Sequence, residues 1–230
     1  MRYINKSNRC IVFDDFVAAY KSRLRNDWDK FKKIKGGGAV RLALHQHLWL
    51  EQKGLCGYCE QEVPKKTAIE EELKSHLEHI RRQALFPQLT YHYENIIVSC
   101  EGFDLTTTAD QKRAFCGHIK DRTVAGVKPY DETLFLNPTE ITDIETYFRY
   151  DSEGHIEPNP SKNVYDQNRA TYMINTLGLD HSVLNEMRKT QYDLWLEKQA
   201  IWTEEELADE LSENQRLLPA FFSLLKQKIL

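Results

Sequence analysis

No hydrophobic run in the chain approaches the roughly 20 residues that a membrane-spanning helix requires. The N-terminus, MRYINKSNRC, carries charge but no apolar signal core, so the expectation is a cytoplasmic protein that is not exported. Internal repeats and low-complexity tracts are also missing, which excludes repeat architectures. Nor is there a surplus of basic residues. With 31 Lys and Arg against 35 Asp and Glu, the formal charge is -4. A protein that grips nucleic acid unaided usually shows the opposite balance, because phosphate neutralisation dominates its affinity. What remains is an ordinary soluble composition, 41% hydrophobic and 29% charged over 230 residues. That length suits one domain or a small module with an extension.

The charge is unevenly spread. Lys21–Arg41 is basic and Glu197–Glu213 acidic. Each segment taken alone reads as a solvated helix face, while the overall imbalance suggests dependence on a partner for nucleic-acid grip. Apolar residues at steps of three and four predict one amphipathic helix over Phe13–Lys35, ended by Gly36-Gly37-Gly38. No Lys-Ser/Thr follows those glycines, so they read as a hinge or helix stop and not as a P-loop. A second helix is expected over Ala39–Lys53, a short one over Ala68–Ser75, a strand at Leu77–Ile80, and a turn or strand at Asn95–Val98. Leu105–Asp110 reads as an exposed loop. Downstream, Tyr147–Ile156 reads as a hairpin turning at Asp151–Gly154. Helices follow over Asn168–Leu177 and Ser182–Trp202, with a capped start at Thr203 and an apolar end at Leu217–Leu230. The expected organisation is an N-terminal helical segment (1–54), a central module (55–128), and a hairpin with helices (129–230).

Five cysteines are present, an odd number that includes the pair Cys56-Gly57-Tyr58-Cys59. In a reducing compartment this favours metal ligation over disulfides. Cys100 and Cys116 would complete a closed four-thiolate zinc site, the kind that organises a short, loop-rich segment. One rival is a redox Cys-x-x-Cys, but no thioredoxin-like βαβ pattern surrounds it. Another is a Cys2His2 site using His76 and His79, which would leave Cys100 and Cys116 without a role. Cys10 is left over as a small buried side chain.

Among these cysteines lie Glu78-His79, Asn95 and His118. An oxygen ligand, an imidazole that accepts a proton near pH 7 and a neutral amide are what metal-assisted phosphodiester hydrolysis requires. On a strand, Glu78 and His79 would face opposite sides and could take different roles. These residues resemble the HNH nuclease motif. The resemblance implies an α+β fold in which 55–128 is a ββα-metal nuclease module, with His79 as general base and Asn95 bracing the loop that carries it. It further implies Glu78 and His118 as ligands of a catalytic Mg2+ or Mn2+. Lys120 reads either as a phosphate contact or as a solvated lysine.

The segments LWLEQKGLCGYCEQ, LEHIRRQALFPQLTYHYENIIVSC and FCGHIKD are similar to the PtuB family, the HNH component of Septu defence systems and of certain retrons. Leu136-Asn137-Pro138, the Asp151–Gly154 turn and Leu177-Gly178-Leu179 extend the likeness over most of the chain, although the Cys100–Cys116 interval is longer than the compact knuckle common in that family. The resemblance implies the toxic endonuclease of a bacterial antiphage complex. Its partners would be a PtuA-like ATPase and, in retron versions, a reverse transcriptase with its RNA–DNA product. The substrate would be nucleic acid, with DNA, RNA and tRNA all open. The alternative is a zinc-stabilised, non-catalytic adaptor or nucleic-acid-binding subunit, which would not need Glu78, His79, Asn95 and His118 together. Trp195, Trp202, Phe221 and Phe222 would either dock the ATPase or close the chain's own core.

Overall fold

The N-terminal periodicity resolves into two helices, α1 (Ile11–Leu24) and α2 (Trp28–Lys33), where one was expected. Arg25 and Asn26 take left-handed backbone, with φ 49° and 56°, and the Asp27 side chain caps α2 by accepting from the Asp29 amide. Asparagine tolerates that conformation and aspartate is a preferred cap, so turn chemistry interrupts a stripe that apolar spacing alone would continue. Gly36, with φ 87°, begins α3 (Gly37–Glu51). A Cβ on Gly37 would stand 1.9 Å from the Phe31 carbonyl oxygen, so only glycine lets the chain turn this tightly and lay α3 against α1 and α2. These observations come from a computed structural model that describes residues 1–68, 75–103, 114–120 and 130–230. The helix expected between Ala68 and Ser75 and the loop at Leu105–Asp110 fall largely or wholly outside those residues.

Between α1 and α2 the rings stack into a pillar. Phe13 and Phe31 lie 5.8 Å apart, Trp28 and Phe31 5.3 Å, and Trp28 and Tyr91 5.8 Å. Phe13 and Phe31 are fully buried, and truncating either to alanine would cost about 3–5 kcal/mol. At the far end of α3, Gln52 clamps the first cysteine turn to the central sheet. Its amide nitrogen donates to the carbonyls of Leu55 and Val98, and its oxygen accepts from the Val98 amide.

That sheet pairs β1 (Ser75–His79) with β2 (Ile96–Cys100) antiparallel, placing Ser75 opposite Cys100 and His79 opposite Ile96. Ile96, Ile97 and Val98 are all buried, so β2 is covered on both faces. The short α4 (Gly117–Lys120) follows. Downstream, β3 (Phe148–Tyr150) and β4 (Ile156–Pro158) form the hairpin, followed by α5 (Val164–Leu177) and α6 (Ser182–Gln199). The chain ends with α7 (Glu204–Glu210) and α8 (Phe222–Ile229). Asn163 caps the start of α5, and left-handed Gly178 ends it. Thr203 and Glu206 form a capping box on α7. Trp195, Phe221 and Phe222 are buried, and Trp202 is packed against the same cluster. Three of the four aromatics considered for docking therefore close the chain's own core. No helix among the described residues is long and apolar enough to cross a membrane.

Candidate metal centres and active site

Cys56, Cys59, Cys100 and Cys116 are all buried, and their sulfurs lie within 4.8 Å of one another. Cys56 Sγ is 3.9 Å from Cys116 Sγ, and Cys59 Sγ is 3.7 Å from Cys100 Sγ. A tetrahedron with Zn–S bonds of about 2.3 Å has edges of about 3.8 Å, so these separations fit one closed zinc site. Burial opposes ionisation of Cys56, but S–H donation from Cys100, Cys116 and Cys59 outweighs it and holds its pKa well below the usual thiol range. Burial, and then the neighbouring sulfurs of Cys100 and Cys56, push Cys116 well above that range. Four thiols crowded into an apolar interior can share little negative charge unless a cation joins them. The donor set fits zinc.

Cys116 arrives in left-handed backbone, φ 62°, a conformation that costs a non-glycine residue about 1–3 kcal/mol. Its amide donates to the Leu177 carbonyl at 2.8 Å. The C-terminal end of α5 thus holds the last cysteine in place. The Cys2His2 alternative is disfavoured by position: His76 engages Glu78 and Glu101, and His79 engages the Thr90 carbonyl.

A second cluster adjoins the first. His76 and Glu78 share one face of β1, as residues two apart on a strand must. His76 Nε2 lies 3.3 Å from Glu78 Oε2, and His76 Nδ1 lies 3.2 Å from Glu101 Oε1. The other Glu101 oxygen is 2.8 Å from His118 Nε2. The ligand atoms of His76, Glu101 and His118 lie within 4.8 Å of one another and could hold a cation. Burial would lower the His76 pKa, but Glu101 and Glu78 outweigh it and raise it to about 9. Glu78 is buried, which alone would raise its pKa; Lys120 and His76 bring it to about 2.

Lys120 is neither solvated nor turned toward a cleft. It is buried, with Nζ 2.6 Å from Glu78 Oε1 and hydrogen-bonded to the carbonyls of His79 and Ile80. Removing one partner of such a buried pair typically costs about 3–5 kcal/mol. The close approach of α4 to β1 depends on Gly117, where a Cβ would stand 2.6 Å from the Glu78 carboxyl carbon. Gly117→Ala is therefore expected to displace the Glu78 side chain and to destabilise the protein by about 1–3 kcal/mol, read from its urea midpoint. An unchanged midpoint would show that α4 yields without disturbing Glu78.

On the opposite face of β1, His79 Nε2 lies 2.9 Å from the Thr90 carbonyl oxygen, and the Gln83 amide approaches the same nitrogen at 3.3 Å. A carbonyl only accepts, so Nε2 carries the hydrogen and Nδ1 is left as the basic atom. Burial lowers the His79 pKa against the opposing influence of Thr90 and Glu78, which favours the neutral ring. Trp28 meets the imidazole edge-on at 4.8 Å, joining it to the aromatic pillar.

Asn95 closes the loop that supplies the Thr90 carbonyl. Its side-chain oxygen accepts from the Arg81 amide at 2.8 Å, and its nitrogen donates to the carbonyls of Arg81 and Leu89. Glu78 and His79 thus occupy one strand, Asn95 ties the intervening loop, and His118 joins the cluster on the Glu78 side. The ligand cluster itself is His76, Glu101 and His118; Glu78, expected as a ligand beside His118, is not among those three and is paired with His76 and Lys120, while His76 and Glu101 were not expected there. The His76–Glu78 spacing of two was a usable strand signal, whereas Glu101 carried none beyond its place beside Cys100.

No profile of a known protein family matches the chain. Two curated proteins do resemble it. One, from Vibrio cholerae serotype O1 biovar El Tor, is named as the candidate HNH endonuclease of retron Vc95. It is 28% identical over 191 residues, covering 83% of this chain and 76% of that protein. The other, from Escherichia coli, is named as the candidate HNH endonuclease of retron Ec83. It is 26% identical over 175 residues, covering 70% of this chain and 63% of that protein. Along most of its length, then, this mixed helical chain with small sheets is similar to retron-associated proteins that carry the HNH endonuclease name.

Proposed function

We propose that the chain is a metal-dependent HNH endonuclease of the PtuB type, built on a ββα-metal module with a structural zinc at Cys56, Cys59, Cys100 and Cys116. The supporting observation is the division of labour on β1. His79 is held by the Thr90 carbonyl with Nδ1 as its basic atom, and its neighbour Glu78 engages His76, a member of the cluster with Glu101 and His118. In this reading His79 Nδ1 takes the proton of the attacking water, and the Nε2 hydrogen bond steadies the imidazolium that forms. Asn95 keeps the loop, and so the Thr90 carbonyl, in register with the ring. Glu78 and His118, joined by His76 and Glu101, would hold a divalent cation. The carboxylate suits Mg2+ or Mn2+, and the two imidazoles tilt the set toward Mn2+. When bound, the cation supplies charge neutralisation at the phosphate and the leaving oxygen. His76 must release its proton before it can serve as a ligand, and Lys120 remains to compensate Glu78.

The retron names of the relatives and the net charge of -4 support action within a complex. Its expected members are a PtuA-like ATPase and a retron reverse transcriptase with its RNA–DNA product, in antiphage defence. Labelled DNA, RNA and tRNA, incubated with the protein alone and with the products of adjoining genes, test the activity. Cation-dependent cutting supports the nuclease, and its absence in every combination returns the non-catalytic adaptor. Metal titration then separates the roles. Glu78→Ala and His118→Ala should regain part of their lost activity at high Mn2+. Asn95→Ala should lose about 10- to 100-fold through loop geometry and recover little. A common response of all three variants would refute the assignment.

A further inference from the structure

A cavity of about 440 Å3 lies between α2, α3 and β1, large enough for a nucleotide-sized group. Lys32, Arg41 and Lys66 line it, and no carboxylate does among the described residues. By contrast, a larger hollow of about 690 Å3 mixes Asp14 and Glu94 with Arg9 and Lys21, so its charge selects no one class of ligand.

Two further features point the first cavity at an anion. The 15-residue α3 begins there, with Gly38 in the wall. The Gly37 amide donates to Ile34 and the Val40 amide to Gly36. Among the described residues, the first-turn amides of Gly38 and Ala39 have no backbone acceptor, an arrangement that with the helix dipole favours negative charge. Also in the lining is His45, which is 1% exposed. Its Nε2 lies 3.1 Å from Ser75 Oγ, while its Nδ1 is buried without a hydrogen-bond partner among the described residues. Such an atom in a folded protein calls for a ligand or another explanation. If the Ser75 hydroxyl donates to Nε2, Nδ1 carries the hydrogen and needs an acceptor.

The cavity also adjoins the candidate active site on two sides. His76 belongs both to its lining and to the cluster with Glu101 and His118. Arg41 sits 5.3 Å over the Trp28 ring, and Trp28 in turn meets His79.

The geometry points to a phosphate subsite beside the scissile position. A phosphate of the nucleic-acid strand, flanking the one that is cut, sits between Lys32, Arg41 and the start of α3, and His45 donates to it. The identity of the strand rests on the nuclease reading; the preference for an anion does not.

The test uses the full chain carrying His79→Ala, so that binding is read without cutting. Anisotropy of a fluorescent single-stranded oligonucleotide is followed across a salt series. Lys32 is exposed, so Lys32→Glu is expected to keep zinc content and melting temperature while weakening binding about 10-fold or more. The slope of log affinity against log salt should fall by about 0.7 for each phosphate that is no longer neutralised. Adding Arg41→Gln should deepen both effects. Unchanged affinity and slope in the folded double variant would overturn the subsite. Inorganic phosphate is run as a competitor. Displacement only at far higher concentration than unlabelled oligonucleotide supports the strand as the source, and equal potency overturns it. A wild-type chain that binds the oligonucleotide through these residues yet cuts no substrate overturns the nuclease reading and leaves the subsite standing.

Discussion

His79→Ala is expected to keep its fold and its zinc and to lose cutting by about 100- to 10,000-fold, the range for loss of a general base. The expectation follows from how the ring is held. Its Nε2 faces the Thr90 carbonyl, leaving Nδ1 as the atom that can take a proton. A substitution that removes the ring also removes the edge contact with Trp28, so stability has to be measured beside rate. His79→Gln is the sharper companion, because its side-chain amide can still donate to Thr90 but cannot act as a base. Both variants should be inactive at every cation concentration, unlike the Glu78 and His118 variants. A folded His79→Ala protein that cuts at near wild-type rate would move the active site elsewhere.

Loss of one cysteine should have an equally large effect on folding. Structural zinc contributes apparent free energies of about 10–16 kcal/mol in zinc-finger peptides. That is comparable to the whole stability of an ordinary domain, about 5–15 kcal/mol. Cys56→Ser or Cys116→Ser should therefore reduce zinc from about one per chain to near zero by elemental analysis and abolish the cooperative melt of the central module. Zinc retained in Cys116→Ser would indicate a different ligand set, with His76 the first replacement to examine.

Much of the fold can be read from local signals, because its elements start and stop on their own chemistry. Gly178 ends α5, Thr203 and Glu206 open α7, and the Asp151–Gly154 turn joins β3 to β4. The break between α1 and α2 escapes periodicity because Phe13 and Phe31 serve one pillar from both helices, so the apolar stripe continues across the turn. In the candidate site, Cys56 and Cys59 are recognisable from their spacing, whereas Cys100 and Cys116 reach them only through β2 and α5. The central pairing Glu78-His79 is legible as adjacent residues on a strand. Glu101 is not, since a lone carboxylate next to a cysteine looks the same whether it faces water or two histidines. Lys120 misleads for a similar reason: burial against Glu78 is a tertiary fact with no local signature.

Glu101 directly follows Cys100, and His118 follows Cys116 by two residues. Each of two zinc-type ligands is thus covalently leashed to a member of the second cluster. Such a linkage has a thermodynamic consequence. If a cation on the cysteines orders Glu101 and His118 and so raises the affinity of the neighbouring cluster by some factor, a cation in that cluster must raise the affinity of the cysteines by the same factor. The two centres then behave as one cooperative unit, in which a cation in either cluster strengthens the hold on a cation in the other.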